Sequence, residues 1–163
     1  QHPREVSDTV TLLEKIGHFV DKENNDLYVK YSATGQAPRT CFSLIAENIN
    51  VATVLRRAAA DWDGGYCIAG VLGHGDAFVL RDPCGIRPAF YLANDEVVVV
   101  ASEAPLIQTV FSAQMSEVKP LPPGHALIIK RSGDHRVESV LPSLALKQCS
   151  FERIYFSRGN DAG

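Results

Sequence analysis

The sequence predicts an α+β domain, with an antiparallel β-rich centre flanked in the chain by helices. Three observations carry this. Between Asp63 and Glu103, four short apolar runs follow one another, each closed by a turn signal. No helix fits between them, so the strands must pair mainly antiparallel, and they are expected to form one sheet. Ahead of them, two segments space their apolar residues as a helix does; behind them come a short helical segment and two more alternating runs.

Taken in order, Ser7 to Asp21 places Val10, Leu12, Leu13, Ile16, Phe19 and Val20 near helical spacing, with Ser7 or Asp8 available as N-cap. The polar segment Lys22 to Asn25 is expected to end that helix. Leu27-Tyr28-Val29 reads equally as a helical turn or a short strand, and Ser32 to Arg39 as loop. A second helix is expected from Asn50 to Asp61, with Val51, Val54, Leu55 and Ala58 inward and Arg56 and Arg57 outward. Trp62-Asp63-Gly64-Gly65 breaks it. The four strands are Gly65 to Leu72, Ala77 to Leu80, Ala89 to Leu92 and Glu96 to Ala101, the last two joined by Asn94-Asp95, a hairpin signal. Ser102 is expected to cap a helix over Ala104 to Phe111, with Pro105 in its first turn, where a missing N–H costs little. Pro122-Pro123-Gly124 is a tight turn, after which Ala126 to Lys130 pairs with Arg136 to Leu141 across Ser132-Gly133-Asp134. The tail, Cys149 to Ser157, holds three aromatics and should dock on something.

Composition narrows the function classes. The 163 residues suffice for one domain, 45% are hydrophobic, and the net charge is −3 with a pI of about 5.9. No Lys/Arg run or basic-aromatic stripe suits nucleic acid, and no apolar run reaches the ~18 residues of a membrane span. Cysteines at 41, 67, 84 and 149 form no CxxC pair, which points to a reducing cytoplasm. The five histidines show no metal spacing.

Several motifs then occur in a telling order: Ser7-Asp8-Thr9, the octet Arg81-Asp82-Pro83-Cys84-Gly85-Ile86-Arg87-Pro88, Ala101-Ser102-Glu103, Pro123-Gly124, and the tail Cys149-Ser150-Phe151-Glu152-Arg153-Ile154-Tyr155-Phe156. The set resembles the glutaminase domain of amidophosphoribosyltransferases, the enzymes that make phosphoribosylamine early in purine synthesis. The resemblance implies an N-terminal-nucleophile fold, a four-layer αββα sandwich of antiparallel sheets between helical layers. It also implies that residues 1–163 are the second part of such a domain. In the family a cysteine at the mature N-terminus attacks the glutamine amide, with its own α-amino group as base; Gln1 has neither thiol nor hydroxyl. The family's upstream arginine, its Asn-Gly oxyanion pair and its phosphoribosyltransferase domain have no counterpart here. The expectation is a fragment inactive alone, with no catalytic residue of its own, from a cytoplasmic and homo-oligomeric parent.

Residue by residue, Asp8 matches the aspartate that holds the substrate's α-ammonium by charge-assisted hydrogen bonds. The competing reading is a helix cap. Val10 stands where the family has Glu, so a Ser7-x-x-Glu capping box is lost; the expected consequence is a weaker cap and an unaltered pocket. Arg81 or Arg87 could bind an anion, but turn chemistry alone accounts for the loop: Pro83 and Pro88 restrict the backbone, Gly85 permits positive φ, and Asp82 pairs an arginine. Cys84 reads as a small packing residue and Ser102-Glu103 as a helix start. Cys149 matches one ligand of the iron–sulfur cluster that some family members carry, and the parent's magnesium belongs with phosphoribosyl pyrophosphate in the other domain. Gly159 departs from the family's proline at the domain junction. Two further classes stay open: another amidotransferase of the same fold, and a non-catalytic binding or regulatory module.

Overall fold

The computed structural model describes residues 7–147, so Cys149, the aromatic tail and Gly159 lie outside the described residues. The chain divides into two compact units, residues 1–61 and 62–163.

The first unit is helical: α1 (Asp8–Ser32), α2 (Pro38–Asn48) and α3 (Val51–Ala58), with α1 packed on both others. Ser7 caps α1, its hydroxyl accepting the Val10 N–H at 3.4 Å. That is the forward half of a capping box, and Val10 has no carboxylate to return the bond. The polar stretch Lys22 to Asn25 does not stop α1, which runs eleven residues beyond Asp21, to Ser32. Polarity alone is no stop signal: Lys and Glu are good helix formers, and the break comes only at Gly35, whose φ is +76°. Leu27-Tyr28-Val29 is therefore helical. Pro38, in the stretch read as loop, opens α2 at a position where proline's fixed φ suits a helix start. Cys41 and Ile45, four residues apart, are the buried stripe of α2. Asn50 caps α3, accepting the Thr53 N–H at 3.0 Å, and Val51, Val54, Leu55 and Ala58 are buried as their spacing requires.

The second unit holds seven strands and one helix: β1 (Cys67–Val71), β2 (Ala77–Arg81), β3 (Phe90–Ala93), β4 (Val98–Ala101), α4 (Ala104–Phe111), β5 (Lys119–Pro120), β6 (His125–Ile129) and β7 (His135–Ser139). All pairings are antiparallel, but the strands form two sheets, not one. The orders are β1-β2-β6-β7 and β4-β3-β5. The split falls at the Arg81-to-Pro88 loop, which carries the chain from the first sheet to the second. Val79 and Leu127 of one sheet and Tyr91, Val98 and Val100 of the other share a core with Ala89 and Leu121. On the far side of the second sheet, Leu92, Ile107 and Val118 join α4 to β3 and β4. Within this unit the order of layers is sheet, sheet, helix.

Candidate functional site

Asp8 lies on the first turn of α1 and is exposed; since Ser7 is the residue that caps, Asp8 is free of that task. Its carboxylate sits where the helix dipole favours a negative charge.

In the second unit the structure gathers Arg81, Asp82, Gly85 and Arg87 into one tight loop. Asp82 is fully buried, and three backbone N–H groups donate to its carboxylate: Cys84 at 3.0 Å and Ile86 at 2.9 Å to Oδ1, Arg87 at 3.1 Å to Oδ2. Asp82 also ties the loop down through its own backbone, donating to Tyr66 O at 2.9 Å and accepting from Gly124 N at 3.0 Å. The guanidinium of Arg81, buried as well, donates to three carbonyls: Nε to Arg87 O at 2.7 Å, Nη1 to Leu121 O at 2.6 Å and Nη2 to Gly85 O at 3.1 Å. Burial pulls the Arg81 pKa below its ordinary value, with Asp82 opposing. The Asp82 carboxylate thus accepts from backbone N–H groups, that of Arg87 among them, while the Arg81 guanidinium donates to carbonyls and feels Asp82 as a nearby charge. The reason is geometric, because a loop this tight aims successive N–H groups inward and leaves its carbonyls to the guanidinium. Gly85 has φ +61°, and a Cβ there would come within 2.9 Å of Pro123 and Leu146. With three donors already engaged, Arg81 has little left for an anion.

Ser102 and Glu103 stand apart from this loop. Glu103, not Ser102, occupies the N-cap position of α4, and it makes no side-chain cap bond. Pro105 at the second helical position has no N–H to be capped, which lowers the demand.

Two features of this unit escaped sequence reasoning. Asp76, in the β1–β2 turn, is only 1% exposed. Its carboxylate accepts from Lys130 Nζ and, at 2.9 Å, from Arg131 N, and His74 Nε2 lies 3.1 Å away. Burial pushes the Asp76 pKa up, but Lys130, Arg131 N and His74 together outweigh it and hold the carboxyl below its ordinary value. Nothing local marks an aspartate in a His-Gly-Asp turn as buried; the cause is the β6–β7 turn, 54 residues on. The second feature is an aromatic pair, Trp62 and Tyr66, edge to face at 5.4 Å. Trp62 Nε1 and Tyr66 Oη are buried without a hydrogen bond. Burial, then Asp82 and Cys84, push the Tyr66 pKa up to about 12.

Among the described residues no group of three or more His, Cys, Asp or Glu could hold a metal ion, and no helix is long and apolar enough to cross a membrane. Cys41, Cys67 and Cys84 are free thiols.

No family model matches the chain. Individual curated proteins do. Amidophosphoribosyltransferase of Methanothermobacter thermautotrophicus is 29% identical over 112 residues, 69% of this chain and 23% of the relative. That of Saccharomyces cerevisiae is 32% identical over 58% of this chain and 20% of its own length. That of Haemophilus influenzae is 30% identical over 64% and 21%. This chain is similar in sequence to amidophosphoribosyltransferases. It spans about a fifth of the length of those it matches. Two solved structures share its fold at 22% identity. They are the glutamine phosphoribosylpyrophosphate amidotransferase of B. subtilis complexed with ADP and GMP (TM-score 0.56, 84% of this chain, 31% of that one) and a structure described as the allosteric regulatory enzyme of purine biosynthesis (TM-score 0.58, 85% and 30%). The α+β fold expected from the sequence is the fold found, and these two structures share it.

Proposed function

We propose that this chain is part of the glutamine-hydrolysing domain of an amidophosphoribosyltransferase acting in de novo purine synthesis in the cytoplasm. The observation that carries the reading is the sequence similarity to curated proteins of that one name from an archaeon, a yeast and a bacterium. In this reading a cysteine thiolate supplied by a longer, homo-oligomeric polypeptide attacks the glutamine amide and expels ammonia, and water hydrolyses the thioester to glutamate. The ammonia then displaces pyrophosphate from phosphoribosyl pyrophosphate. Magnesium and any iron–sulfur cluster reached by Cys149 belong to that larger assembly.

Asp8 is the residue of this chain assigned to substrate. A free amino acid presents one cationic group, and an exposed carboxylate that is spared capping duty can hold it. The test is glutamate release by the full-length parent, wild type beside Asp8→Ala. The expected result is a KM raised at least about tenfold with a smaller change in kcat. A folded but inert wild-type parent would instead favour a binding or regulatory module that keeps the scaffold without the chemistry.

A further inference from the structure

The end of the first sheet where two turns meet carries a cluster of charged side chains. Leu72 to Asp76 closes the β1–β2 hairpin, with Gly75 N donating to Leu72 O and Leu72 N to Asp76 O. Lys130 to Asp134 closes β6–β7, with Lys130 N donating to Asp134 O. Since β2 and β6 are neighbours, the two turns lie side by side. Asp76 joins them: Lys130 Nζ and Arg131 N, both from the second turn, donate to its two oxygens. The stem of Arg131 passes over Gly75, where a Cβ would stand 3.1 Å from its Cγ.

His74 completes the cluster in an unusual way. Its Nε2 is buried and 3.1 Å from Asp76 Oδ2, the oxygen that Lys130 occupies, yet it makes no hydrogen bond. A buried ring nitrogen at ion-pair distance from a carboxylate, short of the alignment of a hydrogen bond, adds to the hold on the anion and is in place to take a larger share of it. The charged groups around it are Asp76 on its own turn and Lys130 and Arg131 on the other; Asp134 is turned to the Ser132 hydroxyl at 2.7 Å.

We propose that His74 is a reserve, proton-operated cation for Asp76, which takes over the carboxylate when the Lys130 ammonium is withdrawn or neutralised. With Lys130 in place its positive charge opposes a second one on the same oxygen. Without it, a protonated imidazole is the nearest side-chain cation, and the two turns stay joined only where His74 carries its proton. Above the range in which Asp76 itself titrates, this makes one corner of the sheet acid-favoured in a lysine-neutral form and pH-indifferent otherwise.

The test uses the 163-residue chain, reading the urea midpoint at about pH 6 and about pH 8, either side of the ordinary histidine range. Lys130→Met is expected to lower the midpoint relative to wild type by at least about twice as much at the higher pH as at the lower. His74→Gln added to Lys130→Met should abolish that difference and lower the midpoint at both. If Lys130→Met lowers the midpoint equally at the two pH values, or is unfolded at both, His74 does not take over and the proposal is overturned. Unfolding only at the higher pH supports it. Lys130→Arg, which keeps the permanent charge, is expected to show no pH-dependent loss; the same pH dependence there would also overturn the proposal.

Discussion

Asp76 immediately precedes β2 and Asp82 immediately follows it, so one five-residue strand is bracketed by two buried carboxylates. They are held in opposite ways. Asp82 is held by the peptide N–H groups of the loop it starts, within five residues of itself. Asp76 is held by a lysine, a backbone N–H and a nearby histidine, two of them from a turn more than fifty residues away. A backbone cradle cannot titrate, and no single side-chain substitution removes it. A side-chain cradle can be loosened by a proton or by one substitution. The first kind builds a fixed corner between two sheets; the second makes a fastening that can be undone.

The contrast predicts a ranking. Asp82→Ala is the most damaging change: it strands three inward-pointing N–H groups and leaves the Arg81 guanidinium without a nearby anion. The expected loss is about 3 kcal/mol or more, read as a chain that no longer unfolds cooperatively in urea. A cost near that of an ordinary surface change would break the comparison.

Gly124→Ala probes the same corner through the backbone. Its φ is +71° and a Cβ would lie 2.5 Å from Leu141 O, so a loss of about 2–3 kcal/mol is expected in the same experiment.

Asp76→Asn should cost less, about 1–2 kcal/mol near neutrality, because Lys130 can swing toward water. Its pH dependence sharpens the point. The folded-state pKa of Asp76 lies below 3.8, so its contribution is fully present above that value and is lost as pH falls through the folded one. Wild type and Asp76→Asn should therefore converge in stability under acid. A gap that persists unchanged through pH 2, about two units below the ordinary carboxylate range, would contradict the ion-pair assignment.

Tyr66→Phe is the smallest effect. The hydroxyl has no hydrogen bond to lose, so the change in stability should stay within about 0.5 kcal/mol. The tyrosine titration followed by ultraviolet absorbance should lose its latest component, the one near 12. With its pKa raised in the folded state, Tyr66 contributes stability below pH 10, its ordinary value, that fades as pH climbs through about 12. The variant should escape that alkaline loss.

Much of this molecule was legible in its residues, for local reasons. The helix over Ala104 to Phe111 has the bounds that its proline and apolar spacing imply. Asn94 accepts from Glu96 and Val97 as a hairpin-turn asparagine does. The inward face of α3 is the face its spacing names. Within the octet from Arg81 to Pro88, Gly85 takes the positive φ that glycine permits. The end of α1 is set by Gly35 and not by the polar stretch Lys22 to Asn25, because polar residues continue a helix and a glycine at positive φ does not.

Tertiary structure decided the rest. Whether four consecutive strands make one sheet or two depends on which later strands join them, and β5 and β6 lie far along the chain. That the Asp82 carboxylate would accept from three peptide N–H groups is a matter of loop geometry. That Asp76 would be buried depends on a turn it meets only after folding. Short-range patterns specify turns, caps and faces, because those are settled by neighbours within about five residues. Partners of a buried charge are settled by whatever the fold brings within a few ångströms, and no window along the sequence contains them.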